Sequence, residues 1–389
     1  MIVRSGLEVF LQKNWKKYQS LKIGVLCNQA SVDKNLIHIR DLLLNKKVKL
    51  NISAFLGPQH GIRGEKQDDM KESQDFKDSQ TGLPVFSLYS HTRVPTSQML
   101  DHFDAFLIDL QDIGTRIYTF MYTMENCMRE AKRTGKKVVI LDRANPIGGL
   151  ATEGNVLDMS YSSFVGQLPL CTRHGMTMGE LAVLFNEVFQ IGCDLDVIPL
   201  QNWKRNMLGD EWGRDWVPPS PNIPNVEAAL TFPGTVHLEG TNISEGRGTT
   251  KPFEWVGAPF VDPDKLAKVM NGKKLRGFYF RPIYFQPTYQ KHKDQVCGGV
   301  HIHFTNRTKN NAFEMGVHLM AALWELYPNE CAWKQPPYEY VKDKLPIDVI
   351  AGTERLRKAI ETGKVKPFLE ESSEELQQFN KLRKQVLMY

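Results

Sequence analysis

At 389 residues, with 41% hydrophobic and 24% charged side chains, the chain has a globular composition. It exceeds the about 250–300 residues over which one core keeps growing, which predicts two domains. Its net charge of +5, from 49 basic and 44 acidic residues, is dispersed and forms no clustered basic face of the kind that binds nucleic acid.

No run approaches the roughly 20 apolar residues that a membrane-spanning helix needs. The start, MIVRSGLEVFLQKNW, has no apolar stretch of the signal-peptide kind. Two locations stay open: cytoplasmic, or periplasmic or secreted after an export signal has been trimmed. The six cysteines lie far apart with no CxxC pair, so buried free thiols are expected rather than a zinc site.

The first half alternates apolar runs with helical patterns. KIGVLCNQ reads as a strand, Ile37 to Leu44 as an amphipathic stretch, and KLNISAFLG as a second strand. LPVFSL, FDAFLIDLQ and KKVVILD continue the series, with a helix from about Tyr118 to Arg133 before the last. Such runs separated by helices imply a largely parallel sheet covered on both faces, an α/β architecture. Met176 to Phe189 reads as a helix with a start signal at Thr177 and Glu180, and DLDVIPL as a further strand. A boundary follows between residues 200 and 230, at the stiff run WVPPSPNIP. We place the domains at 1–215 and 216–389, the second a smaller α+β unit with a strand at Val296–Thr305 and a helix at Ala312–Tyr327.

In parallel sheets the ligand crevice lies beyond the carboxyl ends of the strands. There this chain carries NQAS (Asn28–Ser31), GPQHGIRG (Gly57–Gly64), QDIGTR (Gln111–Arg116) and DRANPIGG (Asp142–Gly149). Asp109 and Asp112 are candidate acid and base, metal holders or sugar-binding groups, followed by Arg116 and Tyr118. The bland alternative has Asp109 anchoring a loop and Arg116 neutralising Asp112. His60 stands between glycines that allow close backbone approach, and Arg63 offers a fork for a carboxylate or phosphate. Neither GPQHGIRG nor EGRG matches a nucleotide-binding glycine motif.

The densest polar run is EGTNISEGRGTT, which gathers Glu239, Asn242, Ser244, Glu245 and Arg247. It offers a proton donor or base, hydroxyl-binding groups and a cationic fork; the alternative is a solvated turn. Phe253 and Trp255 beyond it are either a platform for a sugar face or core. His301 and His303 share one strand face, the spacing of half-buried sheet residues more often than of a zinc site.

Together GPQHGIRG, TGLPVFSLY, DLQDIGTRIYT, LDRANPIGG, PSPNIP, EGTNISEGRGTTKPFEWVGAP and CGGVHIH resemble the exo-β-N-acetylmuramidase family, in the family's order over nearly the whole chain. The resemblance implies a bacterial, peptidoglycan-recycling glycoside hydrolase that releases non-reducing-end N-acetylmuramic acid in a cleft between a Rossmann-like domain and a second domain. It implies no nucleotide, and neither a cofactor nor a metal is expected. Carried onto this chain, the cleft role falls on His60, Arg63, Asp109, Asp112, Arg116, Asn222, Glu239, Asn242, Glu245 and Arg247. One position departs from the pattern: the residue before the histidine of GPQHG is commonly glutamate, and here it is Gln59.

Glycoside hydrolysis commonly uses two carboxylates, and Glu239, Glu245, Asp109 and Asp112 are the candidates. The sugar's acetamido group also permits substrate-assisted attack with a single enzyme carboxyl. A desolvated lactyl carboxylate calls for a guanidinium, from Arg63, Arg116 or Arg247. Two rival readings remain: a catalytically impaired muropeptide-binding protein, because glutamine cannot transfer the proton, and a metal-dependent hydrolase using His60, Asp109 and Asp112.

Overall fold

The structure is a computed structural model that describes residues 2–67 and 72–389. The apolar runs become β1 (Lys22–Cys27), β2 (Asn51–Gly57), β3 (Phe76–Lys77), β4 (Pro84–Ser87), β5 (Ala105–Asp109) and β6 (Lys137–Leu141). Next come two short strands that pair with each other, β7 (Glu153–Val156) and β8 (Cys171–Arg173), and then β9 (Asp194–Ile198). The large sheet runs β3-β4-β2-β1-β5-β6-β9, parallel throughout except for the antiparallel edge pair β3–β4.

Both faces of this sheet are covered, which is why its central strands read as unbroken apolar runs. Val25, Phe55, Leu107 and Val139 pack on one side with Leu7, Phe10, Ile39 and Leu43. Leu26, Leu56, Phe106 and Ile140 pack on the other with residues of the helix Phe120–Thr134. The expected α/β class is the observed one.

The second sheet is antiparallel, in the order β10 (Trp255–Ala258), β12 (Cys297–Phe304), β11 (Phe278–Phe285). It packs against the helices Pro263–Gly272 and Ala312–Leu326. Strand β11 carries Pro282, which a sheet tolerates at an edge because the missing N–H faces outward. The last helix, Val365–Arg383, returns to the first half of the chain: Glu375 accepts from the Val156 amide at 2.8 Å, and Arg383 reaches the Gly175 carbonyl at 2.8 Å.

Where β1 and β5 lie side by side the strand order changes direction, the usual place for a ligand crevice. Here the chain fills it. Asp109, fully buried, takes the Arg143 fork at 2.6 and 2.7 Å, and Arg143 also reaches the Val32 carbonyl at 3.0 Å. Above them Asn28 and Gln29 hold the carbonyls of Pro218 and Pro219 at 2.9 to 3.0 Å, so the proline-rich strap lies over the strand ends.

Removing one partner of a buried ion pair leaves an uncompensated charge, so Arg143→Ala should destabilise the protein by about 3–5 kcal/mol. Urea denaturation checks this; a loss under about 1 kcal/mol would show that water relieves Asp109.

Candidate active site

An open cleft lies beside the filled crevice. Gln59 and His60 follow β2, and Tyr118 and Thr119 lead into the helix Phe120–Thr134. Ser220 and Asn222 come from the strap; Glu239, Arg247 and Phe253 come from the polar run and its aromatic end; Tyr338 and Glu339 come from a later loop.

Glu239 owes its place to a tight helix crossing. The helix Val226–Thr235 meets Ala312–Leu326 at Gly234 and Gly316, where an added Cβ would collide with the facing backbone. Pro233 removes one backbone donor near the helix end, and the chain continues as a tighter 3₁₀ turn over Val236–Gly240, which presents Glu239. One Glu239 oxygen pairs with Arg247, and the other accepts from the Tyr338 hydroxyl at 2.8 Å.

Behind Arg247 stands Glu245, only 1% exposed. One oxygen lies 3.6 Å from the Arg247 guanidinium, and the other accepts from Lys291 at 2.6 Å. Lys291 also donates to the carbonyls of Leu238 at 2.6 Å and Ile243 at 2.7 Å, which staples both ends of the Glu239 segment. Burial pushes the Lys291 ammonium down to about 8, although Glu245 beside it pulls the other way.

The cleft walls are polar and aromatic. Thr119 donates to the Gln59 carbonyl oxygen at 2.6 Å. His60 has a left-handed backbone, φ 69°, and its Nδ1 lies 2.6 Å from the Lys66 carbonyl. Asn222 donates to the Gln67 carbonyl at 3.0 Å and accepts from Tyr289 at 2.6 Å. Phe253 packs edge-on to Phe232, 4.6 Å between centroids, beneath the Arg247 guanidinium. Trp255 packs on Phe285 of the second sheet instead.

Of the residues singled out from the sequence, the structure brings Gln59, His60, Tyr118, Asn222, Glu239 and Arg247 to this cleft, with Glu245 directly behind. The others lie elsewhere. Asp109 is engaged by Arg143. Asp112 accepts from the Gly114 amide at 2.5 Å and faces the His174 ring at 3.2 Å, so its side-chain neighbour is His174 and not Arg116. Arg116 is fully buried and donates to the last carbonyls of the helix Pro346–Ala351, at 3.3 Å for Ile350 and 2.8 Å for Ala351. Asn242 ties its loop to residues 330–332 through the Glu330 carbonyl and the Ala332 amide. Arg63 is exposed and stacks over Phe76, 4.8 Å from the ring centre.

His60, Asp109 and Asp112 are thus not a metal triad, and no group of three potential ligands exists among the described residues. Five cysteines are buried, Cys331 is half-buried, and all six are free thiols. Lys291, Tyr338 and Glu339 lie in none of the motifs that the sequence offers, and Thr119 closes DLQDIGTRIYT without standing out within it.

An α/β protein with a carboxylate–guanidinium cleft is thereby defined. It matches the N-terminal part of exo-β-N-acetylmuramidase NamZ over residues 23–227 and the C-terminal part over 230–389, and belongs to that family. It is 41% identical over 389 residues to the peptidoglycan β-N-acetylmuramidase NamZ of Bacillus subtilis (strain 168), covering 100% of this chain and 91% of that protein. Two crystal structures of DUF1343 family proteins from Bacteroides fragilis NCTC 9343 share the fold. Their TM-scores are 0.89 and 0.76 at 32% and 29% identity, over 100% of this chain and 99% of each of theirs.

Loss of the Lys291 charge should release the Glu239 segment, so turnover is expected to fall as pH rises through about 8. Stability should move the other way. A lysine whose folded value is depressed binds fewer protons folded than unfolded, so its burial penalty is relieved between about 8 and its ordinary value. Paired pH profiles of activity and melting temperature test this, and an activity plateau to about pH 9.5, beyond the lysine's depressed range, would remove Lys291 from the site's ordering.

Proposed function

We propose that this chain hydrolyses the glycosidic bond of a non-reducing-end N-acetylmuramic acid in peptidoglycan fragments. The observation that carries the reading is the Glu239–Arg247–Glu245 array at the cleft, built by one of the segments that resemble the family. It supplies carboxylate and guanidinium at one point, the groups that bond cleavage and recognition of an acidic sugar require. Residues 1–215 and 216–389 act as the two units whose loops make the cleft, with Tyr118 and Asn222 as sugar-binding groups.

Gln59 sits where the family commonly carries glutamate, so its part here is hydrogen bonding. Its carbonyl oxygen is already used by Thr119, which leaves the amide as a donor toward ligand. The wild-type chain is expected to release product from a chromogenic β-N-acetylmuramide with a rate unaffected by EDTA. Activity confined to Gln59→Glu would identify a lost catalytic carboxylate and favour the binding-protein reading; EDTA-sensitive turnover would favour a metal enzyme.

Among the three guanidiniums considered for the lactyl carboxylate, Arg247 is the one that lines the cleft. Arg247→Lys keeps the charge against Glu239 but removes the planar fork. It should lower kcat/KM on muramic substrates about 10- to 100-fold more than on glucosamine analogues, as loss of a charged hydrogen bond does. Equal losses on both sugars would reject the assignment.

A further inference from the structure

We infer that Tyr338 is the nucleophile of this cleft, with Glu239 as the base that takes its proton. The inference rests on the glycosidase reading above and names a residue that lies in none of the sequence motifs. A weak nucleophile is activated when a base stands within hydrogen-bond reach and a third group orients that base. The cleft holds such a series. The Tyr338 hydroxyl donates to one Glu239 oxygen at 2.8 Å, and Arg247 pairs with the other. All three residues line the cleft.

Tyr338 is fixed as a reacting group must be. It is 9% exposed and joins the apolar core that covers one face of the large sheet. Its amide and carbonyl bond reciprocally with Val341, at 3.0 and 2.9 Å, across Glu339 and Tyr340, whose φ values are 43° and 68°. Two consecutive positive φ values make the tight hairpin turn that normally takes Asn-Gly. Here the side chains of both central residues are pinned. The Tyr89 hydroxyl donates to the two Glu339 oxygens at 3.0 and 3.3 Å, and Arg93 donates to the Tyr340 hydroxyl at 2.6 Å.

The substrate read for this cleft is itself an anion. A carboxylate nucleophile would approach it against like charge, whereas a phenol approaches neutral and gains charge only as its proton leaves. Sialidases, whose sugar is also an anion, use a tyrosine nucleophile. The charges behind Glu239 favour the transfer. Lys291 and Arg247 balance Glu245 and Glu239 one for one. A muramic carboxylate arriving at Arg247 adds a third anion against two cations, which favours a proton on Glu239. Substrate binding thus draws the phenol proton toward its base when the nucleophile is needed.

In the first step the Tyr338 oxygen forms a bond to the anomeric carbon as the bond from that carbon to the glycosidic oxygen breaks. The phenol proton passes to Glu239, and the departing oxygen keeps the electron pair and takes a proton from water. In the second step a water oxygen displaces the phenol oxygen from the anomeric carbon. Glu239 returns its proton to the phenol, and the proton shed by that water replaces the one given to the leaving group. Two displacements at one carbon retain its β configuration.

The wild-type protein carries the deciding test. It is incubated with a β-N-acetylmuramyl fluoride bearing a second fluorine on the ring carbon next to the ring oxygen, which slows release of a glycosyl-enzyme. Mass spectrometry of the digested protein should then find one muramyl adduct, on Tyr338, and NMR of normal turnover should show the β anomer formed first. Tyr338→Phe should lower kcat/KM about 1,000-fold or more whatever the leaving group, and take up no label. Fluorination of the acetamido methyl should change the wild-type rate little. An adduct on another residue, no adduct, the α anomer formed first, or a steep fall with the fluorinated acetamide would each overturn the assignment and leave the glycosidase reading standing. A wild-type protein inert on the chromogenic β-muramide would overturn both.

Discussion

The cleft depends on one buried anion. Glu245 lies between Arg247 and Lys291, and its backbone carbonyl also accepts from the Phe253 amide at 2.6 Å. A carboxylate at 1% exposure is costly unless it is paired and hydrogen-bonded. Here the two cations that answer it each make a second set of contacts. Arg247 turns its far end to Glu239, and Lys291 pins the carbonyls on either side of Glu239. Charge is balanced over Lys291, Glu245, Arg247 and Glu239, so the cleft floor carries two carboxylates without net repulsion. Deleting any member leaves the charge of a buried neighbour less well compensated, which couples the four residues and makes them more than independent contacts.

That coupling comes from the second sheet's side of the molecule, while the first sheet supplies the walls. In parallel sheets the crevice at the change of strand order is usually the ligand site. In this chain Asp109, Arg143 and the strap at Pro218–Pro219 close it. The open cleft lies one loop outward, at Gln59 after β2 and Thr119 before the long helix. The same strap that seals the crevice then contributes Ser220 and Asn222 to the new cleft, so closing one site and opening the other are a single structural event.

This displacement explains what the sequence made legible. Strands β1, β2, β5 and β6 are covered on both faces and stand out as apolar runs; β11, with Arg281 and Pro282 inside it and alternate residues exposed, does not. The polar run from Glu239 to Arg247 was legible because its glycines and charges are contiguous in sequence. Asp109 and Asp112 stand at a strand end, where charges commonly face ligands, but that rule describes an open crevice, and no local pattern reveals that Arg143 and His174 engage them here. Lys291 lies 53 and 48 residues along the chain from the carbonyls it pins, and nothing near it marks it as buried.

Part of the chain's left-handed backbone sits at the cleft, although most of it lies elsewhere. His60, Phe253 and Glu339 all line it, and all have left-handed φ, at 69°, 64° and 43°. For residues with side chains such a conformation costs ~1–3 kcal/mol each and persists only where surrounding structure over-determines it. Each has such a restraint: the turn closed by the Gly61 amide to the Pro58 carbonyl, the Phe253 amide on Glu245, and the reciprocal bonds of Tyr338 and Val341. Glycine or asparagine at these positions would relax the backbone and remove an imidazole, a ring and a carboxylate from the cleft. At these three positions the strain falls where side chains converge from three separate loops. The buried charges behind Arg247 are what hold the floor fixed while those loops carry it.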